Sequence, residues 1–197
     1  NKPNLNANIS EAFRYLKARP DIYAVMITVF FTATFGLNFM LFNTLMTTKV
    51  FGKGAAAYGA LGSILAIGSL TGALISARLE KKRHPSYVMR GSALFGVIVV
   101  IESFAPTFTV YACLLPIGGC IVLLTLVSAN SMVQVRTDPA IRGRVMGIYL
   151  FLFLGGSPLV TPILGLLSET IGIRQTIALC GVITILAPTL DEGKSFM

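Results

Sequence analysis

The apolar residues of this chain fall into six blocks, most of them about 18 to 25 residues long and parted by short polar breaks, and this is the length a bilayer demands of a helix. The blocks place spans at about 22–47, 55–77, 88–105, 108–132, 146–168 and 173–189. The last is the shortest and carries Pro188. Hydrophobic residues make up 54% of the 197 and charged residues only 12%, whereas a soluble domain carries about 25% charged residues. No water-soluble core of this size hides that much apolar surface. A membrane barrel would alternate polar and apolar residues through segments of about ten residues, and these blocks do not alternate. The expected fold class is therefore an all-α membrane protein of six transmembrane helices, occupying residues 21–190 as one domain.

Residues 1–20 differ in kind. Ser10 stands where it would cap a short helix in which Ile9, Phe13 and Leu16 share one face and Glu11, Arg14 and Lys17 take the other. Such a segment lies in the interface plane, and Arg19-Pro20-Asp21 breaks it before the first span. Residues 191–197 form a polar tail. The apolar run begins after residue 20 with no small-residue cleavage site behind it, so no signal peptide is expected. The chain lacks a starting Met and opens on a polar linker, which is expected of a fragment whose missing part lies upstream.

A net charge of +8 would suit nucleic acid, but the basic residues stand in short loops beside the spans and point to topology instead. With six spans the loops alternate between two sides. One side carries Lys2, Arg14, Lys17, Arg19, Arg78, Lys81, Lys82, Arg83, Arg90, Arg136, Arg142, Arg144 and Lys194, thirteen of the sixteen. The other carries Lys49, Lys53 and Arg174. By the positive-inside rule the first side is cytoplasmic. The expected location is the cytoplasmic (inner) membrane, with both termini in the cytoplasm, lipid as the surrounding partner and no nucleic-acid partner.

Eight carboxylates exist, so each can be placed. Glu11 and Asp21 belong to the linker, Glu80 and Asp138 to loops, Asp191 and Glu192 to the tail, and Glu169 ends the fifth span. Glu102 alone lies inside a span, a few residues before Pro106 and so near the outer interface; an interfacial carboxylate is expected there. His84 is in a loop. A carboxylate pair, a Ser-His pair or a metal cluster at membrane depth has no residues from which to be built, and an Asp/Glu/His proton relay is equally missing. Cys113, Cys120 and Cys180 fall within spans and read as small apolar fillers. No enzyme, metal site or cofactor is expected.

Three stretches go beyond six helices. The second span reads GALGSILAIGSLTGALISARLEKKRH, where Gly68 and Gly72 form a small-xxx-small pair that permits close backbone approach. The fourth loop and fifth span read DPAIRGRVMGIYLFLFLGGSPLVTPILGLLSETIG. The linker and first span contain EAFRYLKARPDI and GLNF. Together, from residue 9 to about residue 187, these resemble the C-terminal half of major facilitator superfamily transporters, and look most like the drug-efflux branch that includes macrolide and siderophore exporters. The resemblance implies helices seven to twelve of an alternating-access carrier. It also implies two inverted three-helix repeats and an N-terminal half as partner. Gly72-Ala73-Leu74-Ile75-Ser76 and Gly165-Leu166-Leu167-Ser168 close the middle helices of the two repeats. The chain departs from the family at Ser76-Ala77-Arg78-Leu79-Glu80, where the family's loop motif carries an aspartate after the glycine helix.

In that fold the first and fourth spans line the central cavity. On the first, Thr28, Thr32, Gly36, Asn43 and Thr47 share a face at helical spacing, and an unpaired amide in hydrocarbon is costly. Asn38 lies off that stripe but matches the family's GLNF. On the fourth, Asn130 and Gln134 stand four apart beside Ser131. These are the candidates for contact with a small-molecule substrate; the alternative is that they only hydrogen-bond neighbouring helices. Pro158 and Pro162, with Gly155 and Gly156, mark a kink that is either a static bend or a hinge. Arg142 and Arg144 are topology determinants or gate residues pairing with the other half. The expected function is export of an amphipathic organic compound, drug- or siderophore-like, by an antiporter. Uptake of a small polar metabolite and a non-transporting scaffold or scramblase are the alternatives.

Overall fold

The computed structural model describes residues 5–78 and 84–189, with side chains from Glu11 onward. Lys2, the basic loop with Glu80, Lys81, Lys82 and Arg83, and the tail with Asp191, Glu192 and Lys194 lie outside the described residues. All regular structure among the described residues is helical.

The linker forms α1 (Leu5–Lys17). It starts five residues before Ser10, so Ser10 lies inside the helix and does not cap it. Ala12 and Leu16 are buried while Phe13 is exposed, so the buried face is narrower than the apolar residues suggest.

The first span runs from Pro20 to Val50 and is interrupted three times. Helix α2 (Pro20–Phe31) begins on a proline, whose missing N–H costs nothing in the first turn. A widened turn, Thr32–Gly36, follows, closed by a bond from the Leu37 amide to the Thr32 carbonyl at 3.1 Å. The chain leaves helical geometry at Leu37 and Asn38, resumes as α3 (Phe39–Leu45), and ends in a second widened turn at Met46–Val50. Turns of this kind add a residue to the local repeat and recur at functional sites.

The remaining helices are α4 (Ala55–Arg78), α5 (Pro85–Ser103), α6 (Phe108–Arg136), α7 (Arg142–Gly155), α8 (Ser157–Thr170) and α9 (Ile173–Leu186). Together α7 and α8 make the fifth span, divided at Gly156; Pro158 offers no N–H to the carbonyl four residues before it. Among the described residues, five stretches are long and apolar enough to cross a membrane: Pro20–Val50, α4, α5, α6 and Arg142–Thr170. Helix α9 is apolar but has 14 residues, about 21 Å of helix against a hydrocarbon core of about 30 Å. The expected sixth span reaches 189, whereas the helix ends at Leu186, just before Ala187 and Pro188.

Small residues set the helix contacts. A Cβ on Gly68 or Gly72 of α4 would collide with the backbone of Pro116 or Cys120 on α6. Backbones approach that closely only where side chains are missing. The α5–α9 contact repeats this with Gly96 and Gly181, where a Cβ on either would lie 2.7–2.8 Å from the other's carbonyl oxygen. The first span packs between α5, α6, α7 and α9, and its Ile22, Val25, Met26 and Val29 belong to the same buried core as Phe95, Val99 and Ile177. Outward faces stay apolar: Ile67, Leu70 and Leu74 on α4, Phe151 and Leu154 on α7, and Leu159 and Leu166 on α8 are exposed.

The helices present two ends. At one, here the Asp138 end, α1 docks beside the α6–α7 loop. The other is the Pro106 end, where Gly172 turns the chain from α8 into α9 at a φ of 98°, a conformation open to glycine.

Candidate functional site

Three polar nodes lie along the first span, each reaching a different helix. Nearest the Asp138 end, Thr32 Oγ1 donates to the Thr28 carbonyl at 2.8 Å and stands 2.6 Å from Ser92 Oγ on α5. At the break, Asn38 Nδ2 donates to the Thr34 carbonyl at 2.6 Å, and Asn38 Oδ1 accepts from Thr161 Oγ1 of α8 at 2.5 Å. Toward the Pro106 end, Asn43 Oδ1 accepts from the Tyr111 hydroxyl of α6 at 2.7 Å. The stripe is enclosed by the chain's own helices in this arrangement: Thr28 and Thr32 are 1% exposed, Asn43 3% and Asn38 5%. The hydroxyls of Thr28, Thr34 and Thr47 are buried with no hydrogen-bond partner among the described residues.

Two irregular segments therefore face one another. The break at Leu37–Asn38 meets α8 between Pro158 and Pro162, where Thr161 sits. A Cβ on Gly156 would collide with the Thr34 hydroxyl, and one on Gly36 would lie 2.5 Å from the Phe95 ring. Close by, toward the Pro106 end, a groove of about 700 Å³ opens between the first span and α8, lined by Leu45, Lys49, Pro162, Ser168 and Glu169.

Asn130 and Gln134 sit elsewhere, toward the Asp138 end of α6. Gln134 Nε2 donates to Asn130 Oδ1 at 2.6 Å, on the exposed side of the helix. Their bond is to each other.

The Asp138 end carries a charged cluster. The Arg19 guanidinium grips Asp21 through Nε and Nη2 at 3.0 and 3.1 Å, and that hydrogen-bonded carboxylate holds Arg19 above its ordinary value. Arg136 of α6 reaches the same Asp21 at 3.2 Å. The Tyr15 hydroxyl accepts from Arg19 at 3.2 Å and from the Asp138 amide at 3.3 Å. Arg144 pairs with Glu11 of α1 at 2.6 Å, and Arg142 donates to the Thr137 carbonyl at 3.3 Å. Each is an exposed or half-exposed pair worth about 0–1 kcal/mol, but together they fasten the linker helix to the α6–α7 loop.

Sequence reasoning missed Ser92, Tyr111 and Thr161, the partners on the other helices. The signal was present: a hydroxyl in an apolar span has to find an acceptor. The pairing was not. No group of residues fit to hold a metal ion occurs among the described residues.

This geometry defines a polytopic helical membrane protein whose polar groups are gathered on one broken helix and bonded across to three others. The family described as transmembrane secretion effector matches residues 2–192, and the chain belongs to it. It is thus a multi-pass membrane protein of major-facilitator type, with a role in transport rather than catalysis. No curated protein and no solved structure matches the chain.

Proposed function

We propose that this chain is one six-helix half of a secondary transporter that moves an amphipathic organic compound outward by alternating access, with the Asp138 end in the cytoplasm. The observation that carries this reading is the first span. It is broken at membrane depth, and three hydrogen bonds from its buried hydroxyls and amides run to α5, α8 and α6. Discontinuous helices at the bilayer midplane are where carriers build their sites. Bonds of this kind between membrane helices average about 0.6 kcal/mol, so exchanging one for contact with substrate or water is cheap. The family's description as a secretion effector supports the outward direction. An apolar groove carrying one ammonium and one carboxylate supports an amphipathic cargo.

In this reading Asn38 and Asn43 meet substrate when the first span rearranges, and Thr28 and Thr32 line its path. Asn130 and Gln134 stand at the cytoplasmic mouth. Gly156, Pro158 and Pro162 let α8 follow, while Arg142 and Arg144 hold the cytoplasmic end shut through Thr137 and Glu11. The test is efflux of a fluorescent amphipathic dye from energised cells expressing the full natural protein. Asn43→Leu and Asn130→Leu should change the apparent affinity several-fold at normal membrane levels. Dye exclusion equal to that of cells lacking the protein, together with inward movement of a small polar solute, would favour uptake. Unaltered lipid-dependent behaviour with no movement of either would favour a scaffold.

A further inference from the structure

A groove between α5 and α6, toward the Asp138 end, has no part in the pathway just described. Helix α5 presents two faces. On one, Val88, Ser92, Phe95 and Val99 are buried, and Ser92 meets Thr32 of the first span. On the other, Tyr87, Arg90 and Leu94 recur at three- and four-residue spacing, and all three are exposed. This second face looks away from the chain's own core.

The groove is built where the two helices nearly touch. A Cβ on Gly91 would collide with the Thr125 hydroxyl of α6, which donates to the Ile121 carbonyl at 2.7 Å and so keeps its polarity within α6. Outside that contact lies a space of about 310 Å³, walled by Leu94, Ile121 and Leu124, with Tyr87 and Arg90 on its side nearer the Asp138 end. No carboxylate lines it, and Arg90 has no ion-pair partner among the described residues. Arg90 is the sixth residue of a 19-residue helix, about 7–8 Å from its start at about 1.5 Å per residue. A helix of that length barely matches a hydrocarbon core of about 30 Å, so the Arg90 backbone sits below the headgroups. Helical side chains lean toward the helix N-terminus, here the Asp138 end, and a long basic side chain snorkels the same way. An unpaired charge at that depth is costly, and the counter-charge within its reach is a lipid phosphate.

We propose that this groove is a binding site for an anionic phospholipid of the leaflet at the Asp138 end. The planar fork of Arg90 takes the phosphodiester. The Tyr87 hydroxyl, one turn nearer the interface, donates to a headgroup or ester oxygen. One acyl chain runs over Leu94, Ile121 and Leu124, across the seam that Gly91 lets the helices close. The neighbouring charge selects an anionic headgroup over a zwitterionic one. Arg78 ends α4, and the sequence adds Lys81, Lys82 and Arg83 before α5 against Glu80 alone; basic pockets between membrane helices hold lipids of that kind. The site rests on the chain's place in a membrane and not on any cargo or direction of transport.

The experiment is native mass spectrometry of the purified full natural protein, titrated with phosphatidylglycerol or with phosphatidylcholine of the same acyl chains. The wild type should bind phosphatidylglycerol more tightly. Arg90→Gln should weaken that binding about fivefold, the share of one basic residue beside anionic lipid, and leave phosphatidylcholine unchanged. Leu94→Trp fills the groove without touching the charge and should weaken both lipids; it also serves if Arg90→Gln fails to fold by circular dichroism. Arg78→Gln, outside the lining, should matter less than Arg90→Gln. Free glycerol phosphate in excess should not displace the lipid. Equal affinity for the two lipids overturns the proposal. So does phosphatidylglycerol binding unmoved by Arg90→Gln or by Leu94→Trp, as expected if another part of the full protein fills the groove. Displacement by glycerol phosphate overturns it too, since the site would then take a soluble anion.

Discussion

The hydrogen bond between Tyr111 and Asn43 shows how a single buried polar pair is to be judged. Its strength is modest, but its two partners are not equivalent under mutation. Tyr111→Phe removes the donor and leaves the Asn43 amide with an unpaired oxygen; Asn43→Leu removes the acceptor and leaves a buried phenol hydroxyl unsatisfied. Each should lower stability by about 1–2 kcal/mol, and the double variant Asn43→Leu with Tyr111→Phe by less than the sum. The coupling in a double-mutant cycle should lie near the 0.6–1.7 kcal/mol range seen for membrane helices. Unfolding of the purified protein in mixed micelles measures it. Strict additivity would mean that the two side chains do not meet. Thr161→Val should act likewise on Asn38, because the valine keeps the shape and removes the donor.

At the scale of elements, the glycines divide sharply by what lies opposite them. On α4, Gly68 faces the backbone of Pro116, which cannot rotate aside, while Gly62 on the same helix faces nothing within 4 Å. Gly68→Ala should therefore destabilise by about 1–3 kcal/mol through overpacking. Gly62→Ala should be neutral or slightly stabilising, since alanine is the better helix former. Thermal unfolding of the two variants side by side tests it, and equal effects would contradict the α4–α6 packing. The Gly68/Gly72 pair was legible in the sequence because its spacing alone puts both on one helix face. Gly96 and Gly181 were not, because each makes sense only once α5 and α9 are known to cross there.

For the molecule as a whole, what was legible came from solvent. Apolar block length gave the helices, and the distribution of lysine and arginine gave an orientation still to be measured. Lys53→Cys should react with an impermeant thiol reagent applied to intact cells and Asp138→Cys should not; the reverse pattern would invert the orientation. The candidate site was legible only in part, for a physical reason. A helical wheel assumes a constant turn, whereas the first span widens at Thr32–Gly36 and breaks at Leu37–Asn38, so residues beyond the break lose phase with those before it. Asn38, off the wheel's stripe, is buried as fully as Asn43 on it. Glu102 lies near the end of its helix, as the sequence suggests, but its burial was not legible: closeness to a helix end does not say whether a neighbouring helix covers it.

The account turns on whether the enclosed stripe of the first span opens during turnover, and thiol accessibility at Thr32 reads that directly. Thr32→Cys would be placed in the full natural protein with Cys113, Cys120 and Cys180 replaced by serine or alanine, so that it is the reporter within this chain. A small permeant maleimide would be applied with and without a transported amphipathic dye. At 1% exposure the residue is shut away at rest, so labelling should be slow without dye and should change several-fold when the dye is being transported. A residue that stays unreactive under both conditions, in a variant that still transports, would show that the stripe is fixed packing and that the pathway lies elsewhere.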